Sequence, residues 1–247
     1  MRSPMPAPAN PVRPAGRRTV HHGEALAWLQ THAPLQGASV LTSLPDVSEL
    51  PALSFPAWRD WFHRAAAETM AAVSEAGVAV FYQSDIRHQG TWVDKAALVH
   101  AAATDVGLQT VFHKIVCRHP PGTVSLGRAS YAHLLAYARG ARPTPRRPTP
   151  DVLPDGGFVP GRKAMGAAAC LLACRYILEE TTTRTVVDPF CGWGTALAVA
   201  NALGLYAVGV DLSARMCRRA QSLTVTVQGQ HVRPLDAVEA SETGPNP

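Results

Sequence analysis

Long apolar runs are missing from this 247-residue sequence. Charge, glycine or proline interrupts each one before the roughly 18 residues that a membrane-spanning helix needs, so no membrane partner is expected. The five cysteines, Cys117, Cys170, Cys174, Cys191 and Cys217, are odd in number and lack the spacing of a disulfide framework. The N-terminal residues also lack the apolar core of a secretory signal, so the expected compartment is the reducing cytoplasm. Cys170 and Cys174 have no second pair to complete a zinc site, and no metal is expected.

Lysine is scarce, and acids are absent from the first 22 residues, which instead contain Arg2, Arg13, Arg17, Arg18 and several prolines. Residues 1–17 therefore read as a disordered basic tail, residues 18–238 as one domain and residues 239–247 as a second disordered tail. At 47% hydrophobic, the chain can bury one good core. The net charge of +5 and pI of about 9.2 point weakly to an anionic partner.

Along that domain, strand and helix patterns alternate. "RTVHH", "ASVLTSLPD" (a buried strand running into a loop and stopped by Pro45), "VAVFYQSD", "QTVFHKIVCR", "TVVDPF" and "LYAVGVDLS" read as strands, with "SYAHLLAYARG" a further strand running into an arginine-rich loop. "GEALAWLQTHA", "FPAWRDWFHRAAAETMAAVSEAG" (stopping at Gly77), "VDKAALVHAAATDVGL", "GRKAMGAAACLLACRYILEE", "GTALAVANALG" and "ARMCRRAQSL" read as helices. This alternation predicts α/β architecture, a Rossmann-like, doubly wound and mostly parallel sheet.

"VVDPFCGWGT" holds the most constrained turn. A strand ends on Asp188, Gly192 and Gly194 let backbone approach a ligand, and Asp211 ends the next strand about 20 residues later, where an acid can accept both hydroxyls of a ribose. A nicotinamide dinucleotide is disfavoured, because the third spaced glycine is missing and Asp188 would repel a pyrophosphate. S-adenosylmethionine carries a sulfonium and no phosphate, and fits the corner best.

"DPFCGWGT" resembles motif I of the class I S-adenosylmethionine-dependent methyltransferases. The order of parts resembles the circularly permuted β-class nucleic-acid amino-methyltransferases, in which a "TSPPY" loop precedes "DPFxGSGT"; here "TSLPD" at 42–46 precedes motif I at 188–195. The likeness spans residues 18–222 and implies a circularly permuted class I methyltransferase fold that uses S-adenosylmethionine. Carried over, Asp188, Gly192 and Gly194 would line the methionine and sulfonium end, Phe190 and Thr195 would shape the turn, and Asp211 would hold the ribose. Glu24, in the position of the family's "GD" acid, would face adenine or the methionine amine, or else cap a helix. Arg162 and Lys163 would meet the cofactor carboxylate or a substrate phosphate.

In the family's catalytic loop a polar side chain and a proline carbonyl accept the substrate's amino hydrogens while an aromatic ring stacks on the base. This chain reads Ser43-Leu44-Pro45-Asp46, so the stacking ring is missing and no cysteine nucleophile is present. Ser43, Pro45 and Asp46 are the catalytic candidates, with Asp46 open to three readings: a general base, an acceptor for a base edge, or a helix cap. Phe55, Trp58, Trp61 and Phe62 follow closely enough for one of them to supply stacking. Tyr82 and Asp85 are candidates for a substrate wall, and Lys114, Arg118, Arg146 and Arg147, with Arg139 and Arg142, for a basic rim that contacts phosphate.

Only about 20 residues, Arg139 to Val159, occupy the place of the family's target-recognition region, too few for a base-reading domain. The expected partner is accordingly a structured RNA, transfer RNA ahead of ribosomal RNA, methylated on a nucleobase nitrogen. A small-molecule or protein methyltransferase, or an inactive methyltransferase-like binding subunit, are the alternatives.

Overall fold

The computed structural model describes residues 17–124, 127–140 and 145–235. Residues 1–16 of the expected N-terminal tail, residues 236–238 of the expected domain, the expected C-terminal tail and Arg142 lie outside these. Twelve strands are present among the described residues: β1 (Arg18–His22), β2 (Ala38–Thr42), β3 (Ala79–Gln83), β4 (Ile86–His88), β5 (Thr91–Val93), β6 (Gln109–Cys117), β7 (Tyr131–Ala138), β8 (Val152–Leu153), β9 (Thr185–Asp188), β10 (Tyr206–Asp211), β11 (Val225–Gln228) and β12 (His231–Pro234). The helices are α1 (Ala25–His32), α2 (Phe55–Ala72), α3 (Lys95–Asp105), α4 (Ala167–Glu180), α5 (Thr195–Ala202) and α6 (Ala214–Ser222).

Eight strands form one sheet in the order β1-β10-β9-β2-β3-β7-β6-β8. The first five neighbours run parallel, and β7 alone runs against both β3 and β6. Strands from the C-terminal third thus pair directly with strands from the N-terminal third, with Val187 opposite Val40 and Val208 opposite Thr19. The parallel strands read as apolar runs because helices cover both faces: every residue of β2 and β3 is buried.

Two cores result, one on each face. Side chains of α4, α5 and α6 meet one face through Leu171, Ile177, Leu197 and Ala220. Those of α1, α2 and α3 meet the other through Leu29, Trp58, Phe62 and Val99. Trp58, Phe62, Phe81 and Tyr137 are completely buried, each contributing about 2–3 kcal/mol of apolar transfer. Because α5 follows β9 on one face and α2 follows β2 on the other, the winding reverses between β9 and β2. The parallel strands present their carboxyl ends, His22, Asp211, Asp188, Thr42 and Gln83, on a single edge.

Two helices are shorter than their patterns suggest. α2 stops at Ala72 because Ser74–Gly77 forms a turn, closed by the Gly77 amide on the Ser74 carbonyl at 3.0 Å. Gly77 serves a close approach: a Cβ there would strike the Ala38 carbonyl oxygen. α4 starts at Ala167, since residues 161–166 form a turn whose Gly166 abuts the Gly156 carbonyl. The β4–β5 and β11–β12 hairpins carry turn glycines, Gly90 (φ 80°) and Gly229 (φ 56°), and period-2 segments too short to stand out beside the longer strands.

Candidate functional site

A pocket of about 580 Å³ opens on the carboxyl edge at the reversal between β9 and β2. One wall is the loop after β2, with Ser43, Leu44, Pro45, Glu49 and Leu50; the opposite wall is the turn after β9, from Pro189 to Trp193, with Thr195. Gly23 and Glu24 after β1, and Asp211 to Ser213 after β10, close one end. The turn before α4 adds Arg162 to Met165.

Asp211 is fixed by the backbone. Its Oδ1 accepts the Ser213 amide at 2.7 Å and its Oδ2 the Gly192 amide at 3.0 Å, so the carboxylate meets the pocket in one orientation with lone pairs left over. Gly192 has φ +48°, and a Cβ built on it would meet nothing within 4 Å, so its bare backbone faces open space. Gly194 (φ +78°) answers to packing instead: its Cβ would strike Ala220 Cα at 2.6 Å, which makes it the contact between the turn and α6. The two glycines of the motif thus have different reasons, and only Gly192 opens toward a ligand.

Asp188 is fully buried and is not among the residues lining the pocket. Its Oδ1 accepts Thr42 Oγ1 at 2.6 Å and the Phe190 amide at 3.2 Å, while Oδ2 is buried without a partner. Burial pushes its carboxyl up to about 7, against those two hydrogen bonds, with Asp211 adding to the rise. The placement expected for it at the sulfonium is corrected accordingly: Asp188 braces the turn from behind. Thr195 lines the pocket, with a buried hydroxyl that also lacks a partner. Glu24 is the N-cap of α1, its Oε2 accepting the Ala27 amide at 2.7 Å, and it borders the pocket as well.

In the loop after β2, Ser43 faces the pocket. The Pro45 carbonyl accepts the indole N–H of buried Trp58 at 3.1 Å, which anchors the loop to α2. Asp46 turns elsewhere: its Oδ1 lies 2.5 Å from Nζ of Lys95, whose side chain is 3% exposed. Its backbone amide bonds Glu49 Oε1 at 3.0 Å, so the loop continues into the single 3-10 turn Val47–Glu49. A proton-abstracting Asp46 at the pocket wall is therefore not what forms; the carboxylate neutralises a buried lysine. Two aromatic rings reach the pocket, from α2 and from the glycine turn. Trp61 and Phe190 both line the pocket in an edge-to-face pair, with centroids 5.9 Å apart.

Lys163 (φ 67°) joins the turn before α4 to the loop after β2, with Nζ 3.1 Å from Ser48 Oγ and 3.4 Å from Glu49 Oε1. Gly161 lies against the Trp193 indole, itself stacked on the Arg219 guanidinium at 4.3 Å. The turn before α4 and the catalytic loop are thus tied across the pocket mouth, a link between segments more than 100 residues apart that no local pattern signals.

The substrate wall and the basic rim do not form as expected. Tyr82 is 7% exposed, and burial raises its hydroxyl to about 12; Asp85 turns to His133, Nε2 to Oδ2 at 3.1 Å. Lys114 is buried against Asp151 at 3.0 Å and the carbonyls of Thr149 and Pro150, so it is not a free phosphate contact. Arg146 and Arg147 lie beside Glu180 and Glu179 at the end of α4, and Arg139 beside the Ala71 carbonyl at the end of α2. Both helices end on the edge opposite the pocket. Among the described residues of the expected rim, only Arg118, just past β6, reaches the carboxyl edge, where Arg162 also stands.

No protein-family model matches the chain, and no curated protein matches it. Solved structures do. A candidate DNA modification methylase of Thermus thermophilus, in complex with S-adenosyl-L-methionine, superposes with a TM-score of 0.63 at 21% identity, covering 83% of this chain and 91% of that one. The PvuII DNA methyltransferase, cytosine-N4-specific, superposes with a TM-score of 0.64 at 14% identity, covering 88% and 90%. The M1.HpyAVI complex with the same compound gives 0.53 at 12%, covering 83% and 97%. A likeness at these identities shows the fold, and this chain shares the mixed α/β fold of these methyltransferases.

Proposed function

We propose that this chain is an S-adenosylmethionine-dependent methyltransferase acting on a nucleobase nitrogen of a structured RNA, transfer RNA first. The observation that carries the reading is the convergence of Ser43, Gly192 and Asp211 on one pocket, although the serine lies about 150 residues from the other two in the chain. The residues fit the cofactor: Asp211 keeps free lone pairs for two ribose hydroxyls, Gly192 offers bare backbone, and Thr195 has an unpartnered hydroxyl. Bound there, S-adenosylmethionine supplies an electrophilic methyl group.

Ser43 then accepts a hydrogen from the substrate nitrogen and turns its lone pair toward the methyl, while Trp61 and Phe190 offer faces for the base. Positioning of this kind needs no side-chain base, in keeping with the engagement of Asp46 by Lys95. The proton of the alkylated nitrogen passes to water.

A nucleic acid is supported by Arg162 in the pocket lining and by Arg118 farther along the same carboxyl edge of the sheet. RNA is supported by the short stretch between β7 and α4, which leaves no separate base-reading unit. The names of the structural neighbours mention DNA, so both acids are tested together. Purified protein is incubated with methyl-tritiated S-adenosylmethionine and transfer RNA, ribosomal RNA or duplex DNA in parallel. Label in transfer RNA is the expected result; label in DNA alone overturns the RNA reading, and label in none overturns the activity.

A further inference from the structure

Beside the first turn of α3, and outside the pocket, Asp85, Asp94 and His133 come together with one ligand atom from each lying within 4.8 Å of the others. They arrive from three elements: the end of β3, the N-cap of α3 and the middle of β7. Both carboxylates are oriented by backbone. Asp85 Oδ1 accepts the Lys95 amide at 2.9 Å and Asp94 Oδ1 the Ala97 amide at 2.8 Å, which leaves the second oxygen of Asp94 available, while Asp85 Oδ2 faces His133 and accepts the Tyr131 hydroxyl at a long 3.4 Å.

Asp85 Oδ2 lies 3.1 Å from His133 Nε2, close to the separation of about 3.3 Å between donors on a tetrahedral ion with bonds of about 2.0–2.1 Å. The other ring nitrogen, His133 Nδ1, is 2.9 Å from His113 Nε2. When His113 accepts that proton, Nε2 is left as a bare lone pair facing a carboxylate, an arrangement that a cation satisfies and that fixes the imidazole as a ligand. Asp85 and His133 are buried, whereas Asp94 is exposed and borders a second pocket of about 410 Å³ with Trp92 and His88, giving solvent access to the remaining coordination positions.

We propose that Asp85, Asp94 and His133 bind a divalent transition-metal ion of the zinc class, with His113 orienting the ligating imidazole. One nitrogen and two carboxylates suit zinc, cobalt or manganese, whereas magnesium and calcium prefer oxygen alone. The ion brackets Lys95, whose ammonium holds Asp46, so metal stiffens the catalytic loop from outside the pocket. The site is independent of the methyltransferase reading.

The test uses the full chain, stripped with a chelator and titrated with zinc chloride by calorimetry, then with cobalt chloride by visible absorption. Expected are one zinc ion per chain, cobalt bands of a low-symmetry site, a raised melting temperature with zinc, and no saturable magnesium binding. Asp94→Asn, at an exposed position that folding tolerates, weakens zinc binding by roughly tenfold or more, and His113→Ala also weakens it. The proposal is overturned by the absence of saturable zinc binding to the wild-type chain, or by unchanged affinity in a folded Asp94→Asn protein.

Discussion

Thr42 and Asp188, 146 residues apart in sequence, share a hydrogen bond of 2.6 Å at the floor of the sheet's winding reversal. This contact joins the end of β2 to the end of β9 and so sets the catalytic loop and the glycine turn face to face. It also sits on a carboxylate that burial raises to about 7.

Because the folded value for Asp188 lies above the ordinary 3.8, folding favours the protonated form. That contribution is whole at low pH and is lost as pH rises through about 7. Asp188→Asn removes the titration, so its stability relative to wild type grows by roughly 2–3 kcal/mol between pH 5 and pH 8. Urea denaturation at both pH values measures this, and a gap that does not change with pH counts against the buried titration.

Gly192→Ala and Gly194→Ala should fail in different ways. At Gly194 the methyl group has no room beside Ala220, and stability falls by about 2–4 kcal/mol. At Gly192 the methyl group enters open pocket space, so stability falls by only about 1 kcal/mol while affinity for S-adenosylmethionine falls roughly tenfold. Denaturation curves and calorimetry on both variants give the comparison.

Asp46→Ala strands a buried lysine. Loss of the partner should destabilise the protein by about 3–5 kcal/mol, and adding Lys95→Met should restore most of it. A general base at this position predicts instead a stable variant with no turnover, so stability of the single and double variants decides between the two.

Asp211→Asn keeps the shape of the side chain but removes the charge that would accept the ribose hydroxyls. Cofactor affinity should drop by roughly 10- to 100-fold, about 1.5–3 kcal/mol, and stability by about 1–2 kcal/mol, because the new NH2 group cannot accept one of the two backbone amides of Gly192 and Ser213. Equal affinity in the variant removes Asp211 from the site.

Ser43→Ala should leave S-adenosylmethionine affinity unchanged and lower methyl transfer by roughly tenfold or more, the loss of one oriented acceptor. Calorimetry and the tritium assay on the same preparation separate the two effects.

The alternation of strand and helix, the Asp188-to-Thr195 turn and the pocket-edge acid Asp211 at the end of β10 were all legible in the chain, because each depends on residues close together in sequence: apolar periodicity, glycine φ freedom, and an acid at a strand end. The hairpin at Gly90 had its own local signal, overshadowed by stronger neighbours. Facts that depend on distant segments meeting were not legible. Lys95 claims Asp46, Ala220 explains Gly194, Glu179 and Glu180 lie beside two arginines expected at a substrate, and Trp61 of α2 meets Phe190 at the pocket. A side chain's chemistry belongs to its sequence, but its partner is set by which strands become neighbours, and in a permuted sheet those neighbours come from opposite ends of the chain.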